Sequence, residues 1–140
     1  NFNSIIMPNM PAIKILGIDY GDKRTGLALA ESNSMAAPYK VLTSQQQELI
    51  TELKQIITEE NIDAIVVGLP HSLSGQTNER LQITEKFIAD LKQQVDVSIE
   101  TVDEQLTSKL YSKMGVTKDI DKHAATAILE TWLAQNKIND

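Results

Sequence analysis

Hydrophobic and polar residues alternate along this chain with a period that changes several times, and each change marks an element. Ile13 to Tyr20 (IKILGIDY) and Thr25 to Ala30 (TGLALA) are apolar runs of strand length separated by the turn GDKR, which predicts an antiparallel hairpin. A third strand over Tyr39 to Thr43 would complete a meander. From Ser44 the apolar positions move to helical spacing, with Leu49, Ile50, Leu53, Ile56 and Ile57 on one stripe and Ser44 placed as N-cap. Ile62 to Leu69 (IDAIVVGL) is almost wholly apolar, as expected of a central parallel strand covered on both faces. Leu81, Thr84, Phe87, Ile88 and Leu91 then form a second helical stripe, and Val95 to Val102 reads as a strand. A short helix is expected from Leu106, and a last one over Asp121 to Asn136 with Ala124, Ala125, Ile128, Trp132 and Leu133 as its apolar face. The order βββαβαβαα predicts one α/β sheet of mixed direction.

Length and composition narrow the chemistry. The 140 residues suffice for one domain with its own core, expected over residues 13–140 behind a flexible lead-in at 1–12. With no cysteine, thiolate sites are excluded, so an ion would be held by oxygen or by the two histidines, which favours a hard cation. The chain carries no apolar run of roughly 20 residues and no signal-peptide pattern at its start, so a cytoplasmic protein with no membrane partner is expected. A net charge of −6 argues against bulk attraction to nucleic acid and leaves a local basic patch as the route to it.

Charge breaks the apolar pattern in four places. Asp19 ends the first strand, Asp103 and Glu104 follow the last, Asp121 opens the final helix, and the polar loop LPHSLSGQTNER follows the central strand. Ligands of α/β sheets gather outside the carboxyl ends of parallel strands, so these sites could converge. Two or three carboxylates in one cleft require a compensating cation, and Mg²⁺ or Mn²⁺ accepts them while leaving room for water and phosphate oxygens. Such a centre suits phosphodiester hydrolysis. Each residue also has a plainer reading: Asp121, Asp103 or Glu104 as a helix cap, Lys23 and Arg24 as a solvated turn, His71 and His123 as surface or supporting groups, and Trp132 as core. Asp19 is hardest to explain structurally, because it ends an apolar strand and precedes Tyr20-Gly21 instead of a helix.

GIDYGDKRTGLALA, VVGLPHSLSGQTNER, TVDEQLTS and IDKHAATAILETWL, in this order from Ile13 to Leu133, resemble the YqgF family of pre-16S rRNA nucleases and Holliday-junction-resolvase-like proteins. The resemblance implies a ribonuclease H-like fold with a five-stranded mixed sheet, three antiparallel strands and then two parallel, flanked by helices. It also implies a hydrolase acting on phosphodiester bonds in 5′-end maturation of pre-16S rRNA, with Mg²⁺ or Mn²⁺ as cofactor. Asp19, Glu104 and Asp121 match the family's three acids, with Asp103 and His123 as secondary candidates. Gly75 matches the glycine of the loop beside the substrate, and Lys23, Arg24, Arg80 and Lys122 would supply a cationic rim for the nucleic acid. RNA, branched DNA and a pre-ribosomal particle are the implied partners of a monomer or weak homodimer. Two departures stand out: Gln105 replaces the usual Arg, and the central strand ends in Gly68-Leu69-Pro70 without the acid of resolvases proper.

Other classes share parts of this pattern. Actin-like and sugar-kinase ATPases begin with a similar Asp-bearing hairpin, but close a second domain on the nucleotide that 140 residues do not supply. A non-catalytic nucleic-acid-binding or transcription factor fits the acidic charge and Gln105. Divalent-ion-dependent hydrolysis separates it from a nuclease.

Overall fold

The computed structural model describes residues 12–70, 78–104 and 120–136, the side chains of 120–122 excepted. Strands β1 (Lys14–Asp19), β2 (Thr25–Glu31) and β3 (Ala37–Leu42) precede helix α1 (Gln46–Glu59); β4 (Ala64–Leu69), α2 (Glu79–Lys92), β5 (Ser98–Asp103) and α3 (Ile120–Gln135) follow. The strands form one sheet in the order β3-β2-β1-β4-β5. β1 pairs antiparallel with β2 and parallel with β4, and β4 pairs parallel with β5. The expected mixed sheet is therefore present. The expected lead-in and the short helix from Leu106 lie outside the described residues.

The pleat of β1 divides the core. Leu16 and Ile18 join Ile65, Val67 and the apolar stripes of α1 and α2 on one face, while Ile15 joins Val66, Val102 and α3 on the other. α3 sits so close that a Cβ on Gly17 would lie 2.5 Å from Leu129 Cγ and 3.0 Å from the Ala125 carbonyl oxygen. That approach needs glycine.

Several details differ from the sequence reading, among them β3, which spans Ala37–Leu42 instead of Tyr39 to Thr43, and β4, which starts at Ala64 instead of Ile62. α1 is capped by Gln45 without a side-chain cap bond, because the Ser44 hydroxyl donates to Glu52 instead. β5 starts at Ser98, since the turn closing α2 sends Gln94 and Val95 amides to the Leu91 carbonyl and draws Val95 and Val97 into the core before pairing begins. α3 buries Ala127 and Leu129 as well as Ala125 and Ile128, so its apolar surface is wider than one stripe.

Candidate active site

The carboxyl ends of β1, β4 and β5 lie side by side, and alternation along β1 places Asp19 on the same face as Ile15 and Gly17, the face covered by α3. Glu104 follows β5 directly, as the first residue of a helical turn, and its side chain lies beside Gly68 with Ile128 of α3. Two strand spacings separate β1 from β5, about 10 Å. The Asp19 and Glu104 carboxyl groups nevertheless share a hydrogen bond across β4. Gly68 makes this possible: a Cβ there would lie 2.9 Å from Glu104 Cγ, 3.0 Å from Glu104 Oε2 and 2.6 Å from Ile128 Cδ1. The Glu104 side chain thus crosses β4 through the space that Gly68 leaves empty.

Burial pushes the Glu104 carboxyl above its ordinary value, and the neighbouring Asp103 charge adds to the shift. The hydrogen bond to Asp19 and the positive charge of Arg80 pull the other way. Both acids are half-buried, as is Asp103. Paired oxygen donors of this kind match a hard divalent cation. Among the described residues no third Asp, Glu or His joins them. Asp121 lies in the first turn of α3, one turn before the Ala125 carbonyl that abuts Gly17, and its side chain lies outside the described residues.

A family profile described as RuvX, Holliday junction resolvase, matches residues 13–135. The chain belongs to the RuvX family. A relative from Maridesulfovibrio salexigens, provisionally named a pre-16S rRNA nuclease, is 38% identical over 134 residues, which cover 88% of this chain and 99% of the relative. A Natranaerobius thermophilus protein of the same provisional name is 31% identical, over 91% of this chain and all of its own. These bear out the resemblance carried by the four motifs. Thermus thermophilus RuvC, solved with a Holliday junction substrate, superposes with a TM-score of 0.61 at 12% identity over 89% of this chain and 96% of that one. The yeast mitochondrial Holliday junction resolvase superposes with a TM-score of 0.52 at 13% identity over 96% and 84%. At that identity the likeness establishes the ribonuclease H-like fold.

The RuvX chain arranges the other expected site residues in different ways. Lys23 and Arg24 are exposed in the hairpin turn, and the Lys23 carbonyl accepts from Gln45 Nε2 at 3.1 Å. Arg80, expected on a phosphate-binding rim, turns towards the protein: Nη1 meets Asp22 Oδ1 and Nη2 donates to the Tyr20 carbonyl, both at 2.8 Å. His123 is half-buried in α3. Gly75, His71 and Gln105 lie outside the described residues, as does the Lys122 side chain. Among the described residues no helix is long and apolar enough to cross a membrane. Two contributors escaped the sequence reading. Gly68 interrupts an otherwise branched apolar strand, a signal for close approach by another group. Tyr20 stacks on Phe87 with ring centroids 4.1 Å apart, which no local pattern announces.

Proposed function

We propose that this RuvX chain is a divalent-cation-dependent nuclease that hydrolyses phosphodiester bonds in RNA, acting in the cytoplasm on the 5′ end of pre-16S rRNA. The hydrogen-bonded Asp19–Glu104 pair at the carboxyl edge of the sheet carries this reading. Relatives of the same length, provisionally named pre-16S rRNA nucleases, support the choice of substrate. Asp19, Glu104 and Asp121 would hold the Mg²⁺ or Mn²⁺, with Asp103 and His123 near enough in sequence to assist. When bound, the cation would supply positive charge at the scissile phosphate and make water a better nucleophile at neutral pH.

The chain's own residues do the rest. Asp19 and Glu104 are fixed by strand ends and by each other, so the oxygen donors need little reorganisation. Lys23 and Arg24, with Lys122 and the loop containing Gly75, would orient the strand by its phosphates without reading bases. The family description favours branched DNA as a second substrate class. Purified protein incubated with single-stranded RNA, precursor rRNA ends, duplex DNA and four-way junctions, each in Mg²⁺, Mn²⁺ and EDTA, decides among these. RNA cleavage that requires the cation and vanishes in Asp19→Asn is expected. Junction cleavage with intact RNA would replace the substrate, and no cleavage of any substrate would overturn the enzymatic reading.

A further inference from the structure

We infer that Arg80 is a positioning residue that holds the β1–β2 turn, and with it Asp19, instead of a phosphate contact. The inference rests on the nuclease reading for its kinetic consequence and on geometry for the rest. Arg80 stands in the first turn of α2, and both arms of its guanidinium are engaged with the hairpin, one on the Tyr20 carbonyl and one on Asp22, each at 2.8 Å. Tyr20 is the residue immediately after Asp19. Its ring stacks on Phe87, two turns further along α2, at an interplanar angle of 2°. One helix therefore grips both the backbone and the side chain of the residue next to the acid.

The helix itself is anchored at that end. Asn78 caps α2 by accepting from the Leu81 amide at 2.7 Å, and its own amide donates to the Pro70 carbonyl at 3.0 Å, just beyond β4. The turn has a second tie from α1, where Gln45 reaches the Lys23 carbonyl. Gly21 tightens it further, since a Cβ there would lie 2.4 Å from the Arg24 carbonyl oxygen. The Asp22 ion pair is largely solvent-exposed on the Asp22 side and contributes little alone. The Tyr20 carbonyl bond is half-buried and charge-assisted, and it acts directly on the strand end. A planar fork suits two acceptors at once, which a lysine ammonium cannot match.

The test measures kcat, KM and the salt dependence of KM on a single-stranded RNA, together with amide exchange at Asp22 to Arg24, in wild type, Arg80→Gln and Arg80→Lys. A displacement of the acid by around 1 Å lowers turnover as much as 10²-fold, so Arg80→Gln should lose about 10- to 100-fold in kcat. KM and its salt slope should not move, amide exchange in the turn should quicken, and Arg80→Lys should fall between. A salt slope reduced by about 0.7 with kcat preserved would make Arg80 a phosphate contact and overturn the inference. Unchanged exchange would overturn it as well. Should Arg80→Gln fail to fold, Arg80→Lys carries the same comparison. If wild type cleaves nothing, the nuclease reading fails, while the exchange data still decide whether Arg80 holds the turn.

Discussion

Gly68→Ala separates the geometry of the acid pair from the stability of the fold. The added methyl would sit 2.6 Å from Ile128 Cδ1, 2.9 Å from Glu104 Cγ and 3.0 Å from Glu104 Oε2. Carbon atoms in contact prefer about 3.5–4.0 Å, so Ile128 must retreat by roughly 0.9–1.4 Å and Glu104 Cγ by roughly 0.6–1.1 Å. Ile128 is only 1% exposed and retreats into packed neighbours, which as overpacking costs about 1–3 kcal/mol. Replacing glycine by alanine returns about 0.4–1 kcal/mol through the unfolded chain where the backbone allows it. A net destabilisation of up to about 2.6 kcal/mol follows. Glu104 moves at Cγ, so its carboxylate moves with it, and a shift of this size lowers kcat by about 10²-fold, or roughly 2.7 kcal/mol of transition-state stabilisation.

The double variant Gly68→Ala/Ile128→Val isolates the cause. Removing Ile128 Cδ1 relieves the closest clash but leaves Glu104 displaced, so thermal stability should recover towards that of Ile128→Val while turnover stays low. Single-turnover RNA cleavage in Mn²⁺, well below each midpoint, together with thermal unfolding of all four proteins, measures both quantities. Full activity in Gly68→Ala, or recovery of activity in step with stability in the double variant, would refute the idea that the open space over Gly68 aims Glu104.

Asp19→Asn should abolish hydrolysis while leaving metal-free stability unchanged or raised, because one charge of a crowded acid pair is removed; a marked fall in melting temperature would return Asp19 to a structural role. Glu104 has a raised folded value, so its stabilising contribution is complete below the ordinary 4.5 and is lost as pH rises through that raised value. In EDTA, Glu104→Gln should therefore gain stability over wild type as pH climbs from about 4.5, and a difference that stays flat with pH would contradict this burial effect. Thr84 is 1% exposed and its hydroxyl has no hydrogen-bond partner among the described residues, so Thr84→Val should raise stability by about 1 kcal/mol in urea unfolding. Arg24→Ala should reduce the log–log salt slope of RNA binding by about 0.7 and weaken all sequences alike, as filter binding across a salt series would show.

Where the sequence was legible, one residue type carried one physical requirement. The run IDAIVVGL announced a strand buried on both faces, and β4 has helices on both sides. Asp19 and Glu104 were legible as partners because each stands at a strand end, and parallel strands bring such ends together. Gly68 was not, since it contributes empty space, and space is defined only by what enters it from β5 and α3. The width of the α3 interface was hidden for a related reason. A single stripe suits a helix lying along one groove, whereas α3 packs against all five strands and buries Leu129 beside Ile128. The bonds from Arg80 to the hairpin were not legible, because the partner Asp22 is 58 residues away, a pairing only the fold reveals.

The placement of cations around the acid pair follows from the chain's charge balance. A protein of net charge −6 repels a polyanion at long range, so its attraction must be local. Arg80 is spent on internal bonds and moderates the field at Glu104, which favours the ionised acid that a cation requires. Lys23 and Arg24 are exposed on the same turn, which is tied to α1 through the Lys23 carbonyl and to α2 through Asp22. One short hairpin therefore fixes an acid at its inner end and presents positive charge at its outer end, with the glycine at position 21 permitting the reversal between them. Affinity built from so few contacts would be weak and only shallowly dependent on salt, and discrimination among RNA ends would then rest on which strands can bend into the acid pair, not on how tightly they are held.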